Sequence, residues 1–120
     1  MKITLFQPDI AQNLGAIMRL GACFGVPVDI IEPCGFPLTT KALRRTAMDY
    51  GAPSEILRHQ SWDSFIDSPR EGRLVLFTTQ GATELNKFDF EQNDTLLFGR
   101  ESAGVPVSYT HLTLPTTSRV

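Results

Sequence analysis

Several features that define common protein classes are absent or scarce in this sequence. The chain has 120 residues but only two cysteines, two histidines and one tryptophan. Cys23 and Cys34 lack metal-ligand spacing and lie in segments predicted to pack in the core, so we expect reduced thiols, no bound metal and a cytoplasmic protein. No apolar run approaches membrane-spanning length and no signal-peptide pattern begins the chain, so we expect no membrane association.

Positive charge in excess is also absent, because the formal net charge is −2. Any nucleic-acid surface must therefore be a local patch or be shared between subunits. Neither a GxGxxG sequence nor a P-loop sequence is present, which removes support for nucleotide binding of those two types. His59 has no indicated partner for nucleophilic catalysis, and no carboxylates stand at glycosidase-like positions.

The residues that are present describe one soluble globular domain, with 42% hydrophobic and 20% charged residues. Strand-like apolar runs alternate with helix-like segments, which predicts an α/β fold with a mainly parallel sheet. Residues 74–77 and 96–98 are continuously apolar at their centres. Such strands are typical of a sheet that carries helices on both faces.

Hydrophobic periodicity and turn residues place the individual elements. Strands are predicted over residues 2–6, 27–31, 54–59, 73–79 and 94–98, helices over 13–24, 41–48 and after residue 61, and an irregular connector over 82–93. Asn13 is predicted to cap the first helix and Gly25 to end it. Ser61 is predicted to cap the short helix that turns Trp62 and Phe65 inward.

The first predicted helix has an apolar face and two costly glycines. The face contains Leu14 and Ile17, then Leu20 or Gly21, then Phe24. Gly15 and Gly21 each cost about 1 kcal/mol relative to alanine inside a helix. Close approach to another backbone or to a ligand explains them most simply.

The stretch 94–106 joins a short apolar strand to a loop that contains Gly99, the oppositely charged Arg100 and Glu101, and then Gly104. Open α/β proteins bind ligands outside the carboxyl ends of their strands, so this loop is a candidate site. The alternative is a surface turn with solvated charges. A second polar loop follows the preceding strand at residues 78–81.

A basic pair, Arg44 and Arg45, lies on the second predicted helix, and Tyr50 follows shortly after it. Arginines beside an aromatic residue suit contacts to phosphates or bases. A solvated helix face is the alternative interpretation.

Three segments follow one another along the chain: QPDI with QNLGA and Arg19, then DIIEPCGF with LRR and MDY, then LFGRESAGVP. In this order they resemble motifs of the SPOUT class of RNA methyltransferases. The second segment is similar to the subgroup that methylates the 2′-hydroxyl of the tRNA wobble nucleotide. The resemblance covers about residues 2–106 and implies a C-terminal trefoil knot, S-adenosylmethionine as cofactor, a homodimer, and the tRNA anticodon stem-loop as substrate.

The resemblance also assigns roles to individual residues. It implies cofactor-binding roles for Phe77, Thr78, Gly99, Arg100 and Glu101, RNA contacts for Asn13, Gly15, Arg44, Arg45 and Tyr50, and no metal ligand. Arg19 is implied to reach the reacting centre from the partner subunit. Because arginine stays protonated, we interpret it as orienting the ribose or its phosphate rather than as a base.

Two other functions stay open: ribose methylation of rRNA, and RNA binding or dimerisation without catalysis. The third family motif, a segment with a Ser-Leu-Asn core, does not follow Pro106. Residues 107–120 instead resemble a translated DNA-library adapter, the alternative being a natural threonine-rich tail. We therefore expect residues 1–106 to be the N-terminal part of a truncated SPOUT domain, with an incomplete knot and little activity or cofactor binding, and 107–120 to be a non-native tail.

Overall fold

The computed structural model describes residues 1–39, 41, 56–78, 83–100 and 116–119. These ranges contain strands β1 (Lys2–Phe6), β2 (Val28–Ile31), β3 (Ile56–His59), β4 (Leu74–Thr78), β5 (Thr83–Glu84), β6 (Thr95–Phe98) and β7 (Thr116–Arg119), helices α1 (Ala11–Phe24) and α2 (Trp62–Asp67), and a 3-10 turn (Leu85–Lys87). No helix in the described ranges is long and apolar enough to cross a membrane. Apart from Lys41, the predicted helix over 41–48 lies outside them.

The described strands form one sheet in the order β3-β2-β1-β6-β4-β7-β5, and every described pairing is parallel. The predicted mainly parallel sheet is therefore confirmed. Parallel strands place their carboxyl ends at the same edge of the sheet. The chain winds from β1 outward to β3 and then crosses to the other side of β1, so β1 and β6 flank a change of winding direction of the kind that opens a ligand crevice.

Helices cover both faces of the sheet, as predicted. On one face, Leu14 and Met18 of α1 pack with Leu5, Val28 and Ile30. On the other face, a second cluster comprises Phe6, Ile31, Trp62, Phe65, Leu74, Leu76 and Leu97. Burying each such side chain contributes about 1.5–3 kcal/mol, so both faces drive folding.

Helix α1 begins earlier than predicted, and Asn13 is not its cap. Ile10 occupies the cap position with extended backbone and no side-chain capping bond. Ala11 and Gln12 are good helix formers, so the helix extends through them and places Asn13 inside its first turns. Gly25 ends the helix as predicted, in the left-handed region with φ 66°.

The buried side of α1 agrees with the predicted face except at its C-terminal end. Leu14, Met18 and Gly21 are buried, whereas Leu20 is 53% and Phe24 is 76% exposed. Leu14 is therefore confirmed, Gly21 is the buried member of the predicted alternative Leu20 or Gly21, and the placement of Phe24 on this face was wrong, because the helical period aligns Met18 and Gly21 with Leu14.

The cysteines are free, as predicted, but Cys23 is exposed and Cys34 is half-buried. The expected core position of Cys23 was wrong, because it lies on the outer side of α1, beside exposed Phe24.

Helix α2 is confirmed together with its cap. The Ser64 amide donates to Ser61 Oγ at 3.1 Å, a cap that contributes about 0.5–2 kcal/mol. Trp62 and Phe65 are buried as predicted.

Two segments contain more regular structure than the sequence indicated. The connector over 82–93 was predicted to be irregular, but it holds β5 and the 3-10 turn. Residues 116–119 form β7, which pairs with both β4 and β5. The non-native origin of residues 107–120 stays a prediction.

Candidate functional site

The tips of β4 and β6 lie side by side at the carboxyl edge of the sheet. Phe77 pairs in register with Phe98, and their rings stack with centroids 4.6 Å apart. The Phe90 ring also stacks on Phe77, with ring centroids 5.9 Å apart and an interplanar angle of 11°. Because these rings fix both tips, the chain segments that follow β4 and β6 leave the sheet next to each other.

Most of the predicted cofactor residues lie at this edge. Phe77 and Thr78 end β4, and Gly99 and Arg100 follow β6 directly. Arg100 Nε is buried without a hydrogen-bond partner among the described residues. A buried N–H that lacks an acceptor is costly, so an acceptor supplied by a bound ligand would be stabilised here. Glu101 lies outside the described residues.

The loops that follow β1 and β2 pack against each other at the same edge. The Gly35 amide donates to the Pro8 carbonyl at 3.0 Å. A Cβ at Gly35 would lie 2.6 Å from Asp9 Cβ and 2.9 Å from Asp9 Cα, so only glycine fits. This contact joins the first two motif segments, and the sequence analysis missed it because nothing local pairs residue 35 with residue 9.

An ion pair ties the loop after β2 to strand β3. Arg58 Nη2 donates to Glu32 Oε1 at 2.6 Å, and Arg58 Nε donates to Oε2 at 3.2 Å. The same Nη2 donates to the Leu38 carbonyl at 3.0 Å. The hydrogen bond to Glu32 raises the pKa of Arg58, so the guanidinium stays charged.

His59 lies in the sheet rather than at this edge. Its Nε2 is 3.0 Å from Asp29 Oδ2, and both side chains are buried. The ring also meets Phe65 edge-on. This environment is that of a buried core pair, and its second member, Asp29, was not indicated by the sequence.

Helix α1 starts at the carboxyl end of β1 and exposes Asn13 and Arg19. Within the part of the chain that the structure describes, no atom beyond the neighbouring backbone of α1 lies within 4 Å of a Cβ built at Gly15. The predicted close approach of Gly15 to another backbone is therefore not found among the described residues, and the position is open to a ligand or partner. Arg44, Arg45 and Tyr50 lie outside the described residues.

A cavity of about 580 Å³ lies at the opposite, amino edge of the sheet. Its lining includes Lys2, Pro27, Arg70, Asn93 and Thr95. Because strands run between the two edges, this cavity is separate from the region bounded by Phe77, Gly99 and Arg100.

Comparison with known proteins identifies the protein family to which this fold belongs. Residues 1–115 match the SpoU rRNA Methylase family, and the chain belongs to that family. The resemblance found in the sequence and the α/β fold are thereby confirmed.

Among individual relatives, the chain is 47% identical over 108 residues to the tRNA (cytidine(34)-2′-O)-methyltransferase of Ancylobacter novellus, covering 88% of this chain and 68% of that protein. It spans 64–68% of the length of the first curated relatives that it matches.

Two solved structures extend the comparison. One, described as "Structural insights into the 2-OH methylation of C/U34 on tRNA", matches with a TM-score of 0.84 and 34% identity over 99% of this chain and 78% of that chain. The other is the SpoU methyltransferase AviRb from Streptomyces viridochromogenes in complex with AdoMet. It matches with a TM-score of 0.78 and 22% identity over 100% of this chain and 48% of that chain, which shows a shared fold alone.

Proposed function

We propose that the complete gene product transfers a methyl group from S-adenosylmethionine to the ribose 2′-hydroxyl of nucleotide 34 in the tRNA anticodon loop. The observation that carries the proposal is the convergence of the motif segments at one sheet edge. The turn before α1, the loop with Gly35 and the segment starting at Gly99 all leave the sheet there. The 47% identity to a tRNA methyltransferase supports the choice of substrate.

The cofactor fits the chemistry of the β4 and β6 tips. Thr78, Gly99 and Arg100 would offer backbone donors and acceptors to the adenosine, and Arg100 Nε would gain the acceptor it lacks among the described residues. We assign Phe77 to the wall of this site and Glu101 to its continuation. When bound, S-adenosylmethionine supplies an electrophilic methyl group. Its sulfonium methyl group would be transferred to the ribose 2′-oxygen, with the hydroxyl proton released to solvent and the thioether as the other product, while Thr78, Gly99 and Arg100 would hold the adenosine.

The RNA would lie against the part of the exposed side of α1 that a neighbouring subunit leaves uncovered. Arg19 is charged and exposed there, so it suits a ribose or phosphate contact. Correct placement of two reactants supplies a large part of the rate, which is the contribution we assign to Arg19. Asn13 and the open position at Gly15 would shape the same corner. Beyond the described residues, Arg44, Arg45 and Tyr50 are proposed as further RNA contacts.

A homodimer would explain the outer face of α1. Leu20 and Phe24, four positions apart on one stripe, are both exposed, and Arg19 lies beside them. A second copy covering this stripe would bury both apolar side chains and bring Arg19 toward the neighbouring subunit's edge. Leu20→Glu with Phe24→Glu should then convert a dimer into a monomer in sedimentation velocity, and an unchanged sedimentation coefficient would refute this interface. We also propose a cytoplasmic location, where tRNA is modified, and a reaction without metal.

Methylation of rRNA is the second candidate, favoured by the description of the matched family. The deciding experiment uses tRNA transcripts that differ only by a 2′-deoxy sugar at nucleotide 34. The proposal predicts radiolabelled methyl transfer to the ribose form and none to the deoxy form or to rRNA. Transfer to rRNA alone would support the second candidate, and no transfer to any RNA would favour a non-catalytic binding module.

A further inference from the structure

Arg58 lies on strand β3, and its described hydrogen bonds reach Glu32 and Leu38, neither of which is assigned above to cofactor or RNA. We propose that Arg58 is a positioning residue for the tRNA substrate, acting by holding the loop 32–38 against the segment that begins α1. This inference rests on the proposed function.

The guanidinium of Arg58 binds both ends of this loop. Glu32, at the start, accepts from Nε at 3.2 Å and from Nη2 at 2.6 Å, and Leu38, near the end, accepts from Nη2 at 3.0 Å. The Glu32 amide also donates to the His59 carbonyl at 2.8 Å. A planar guanidinium can serve a carboxylate and a carbonyl together, which a lysine ammonium does less well.

The middle of the loop packs tightly against the first motif segment. Gly35 touches Asp9 so closely that an added Cβ would overlap it, and the Gly35 amide is bonded to Pro8. Phe36 and Leu38 pack on the cluster that contains Leu14 of α1. Two routes, one polar and one apolar, therefore connect Arg58 to the start of α1.

Helix α1 carries Asn13 and Arg19, the residues proposed to face RNA. Arg58 would fix the positions of these two residues without contacting the substrate. The tips of β4 and β6, which are assigned to the cofactor, lie on the other side of β1, because β2 and β1 separate β3 from β6 in the sheet. Loss of Arg58 should therefore affect tRNA recognition and leave cofactor recognition unchanged.

Amide hydrogen exchange tests the mechanical link directly in the complete gene product. In Arg58→Met the Gly35 amide should exchange at least about tenfold faster, because the guanidinium no longer holds the loop that contains Gly35. The Ser64 amide at the cap of α2 should not change, and Arg58→Lys should fall between wild type and Arg58→Met. The matched control is Arg70→Met, since Arg70 is an exposed arginine that lies over the Phe65 ring. Unchanged exchange at Gly35 in Arg58→Met would overturn the inference.

Steady-state kinetics test the consequence for the substrate. Arg58→Met should raise KM for tRNA about tenfold and leave KM for S-adenosylmethionine within about twofold. General damage to the fold would instead lower the active fraction for both substrates alike. Faster exchange at Gly35 with an unchanged KM for tRNA would overturn the role in RNA positioning. Wild-type protein without methyl transfer would overturn the proposed function alone, and exchange at Gly35 would still decide whether Arg58 holds the loop.

Discussion

Phe77 and Phe98 stack across the ends of β4 and β6 with ring centroids 4.6 Å apart. This contact fixes the spacing of the two segments to which we assign cofactor binding. On the other side of β1, the contact between Gly35 and Asp9 fixes the turn that precedes α1, the helix that carries the described residues assigned to RNA. Different contacts therefore hold the two halves of the proposed site, and separate substitutions should affect them to different extents.

Arg19→Ala should remove the substrate-orienting charge on α1. We expect methyl transfer to tRNA to fall by at least about a hundredfold, because misplaced reactants lose most of the positional advantage. Cofactor affinity, measured by calorimetry, should change less than about twofold. Arg70→Ala serves as the control for loss of an exposed arginine. Turnover equal to wild type would eliminate the role assigned to Arg19.

Gly15→Ala separates stability from RNA binding. Open space surrounds a Cβ at this position, so alanine should stabilise the protein by up to about 1 kcal/mol through helix propensity. If RNA approaches the backbone here, affinity for an anticodon stem-loop should fall even though the fold becomes more stable. Urea unfolding and fluorescence anisotropy measure the two effects. Higher stability with unchanged RNA affinity would remove Gly15 from the proposed RNA surface.

Gly35→Ala should have the opposite effect on stability. Its Cβ would overlap Asp9, and relieving that overlap requires backbone shifts that cost about 1–3 kcal/mol. Urea unfolding of Gly35→Ala beside Gly15→Ala compares the same chemical change in a tight and an open position. Equal stability of the two variants would contradict the packing described for the loops after β1 and β2.

The buried carboxyl of Asp94 makes the free energy of unfolding depend on pH. Arg73 donates to both Asp94 carboxylate oxygens, at 2.9 and 2.8 Å, and lowers the pKa of that buried carboxyl. Because the folded-state pKa lies below the unfolded one, the contribution is complete above about pH 4 and is lost as pH falls through the folded value.

Asp94→Asn should destabilise the protein by on the order of 2 kcal/mol near neutral pH and flatten the acid limb of the stability curve. Urea unfolding between about pH 7 and pH 3 measures both effects. Exposed Asp63→Asn is the control. An acid limb as steep in Asp94→Asn as in wild type would show that other carboxylates dominate it.

Local sequence patterns predicted the elements well and the site only in part. Strand β1 and the Ser61 cap follow from periodicity and cap chemistry, which act between near neighbours. Phe24 was misplaced because its apolar character was taken as burial, although an exposed apolar side chain also suits an interface.

Local sequence patterns could not predict the contacts that shape the site. Arg58 with Glu32, and Gly35 with Asp9, join residues that are distant in the chain and meet only through the strand order. Motif resemblance located Gly99 and Arg100 because short motifs carry information that periodicity does not. The resemblance did not predict the ion pair between Arg58 and Glu32 of the second motif segment.

Deletion of the gene followed by mass spectrometry of nucleosides from purified tRNA tests the central claim most directly. The account predicts loss of the 2′-O-methyl group at nucleotide 34, with restoration by the wild-type gene and not by Arg19→Ala. An unchanged 2′-O-methyl level at nucleotide 34 in the deletion strain would contradict it.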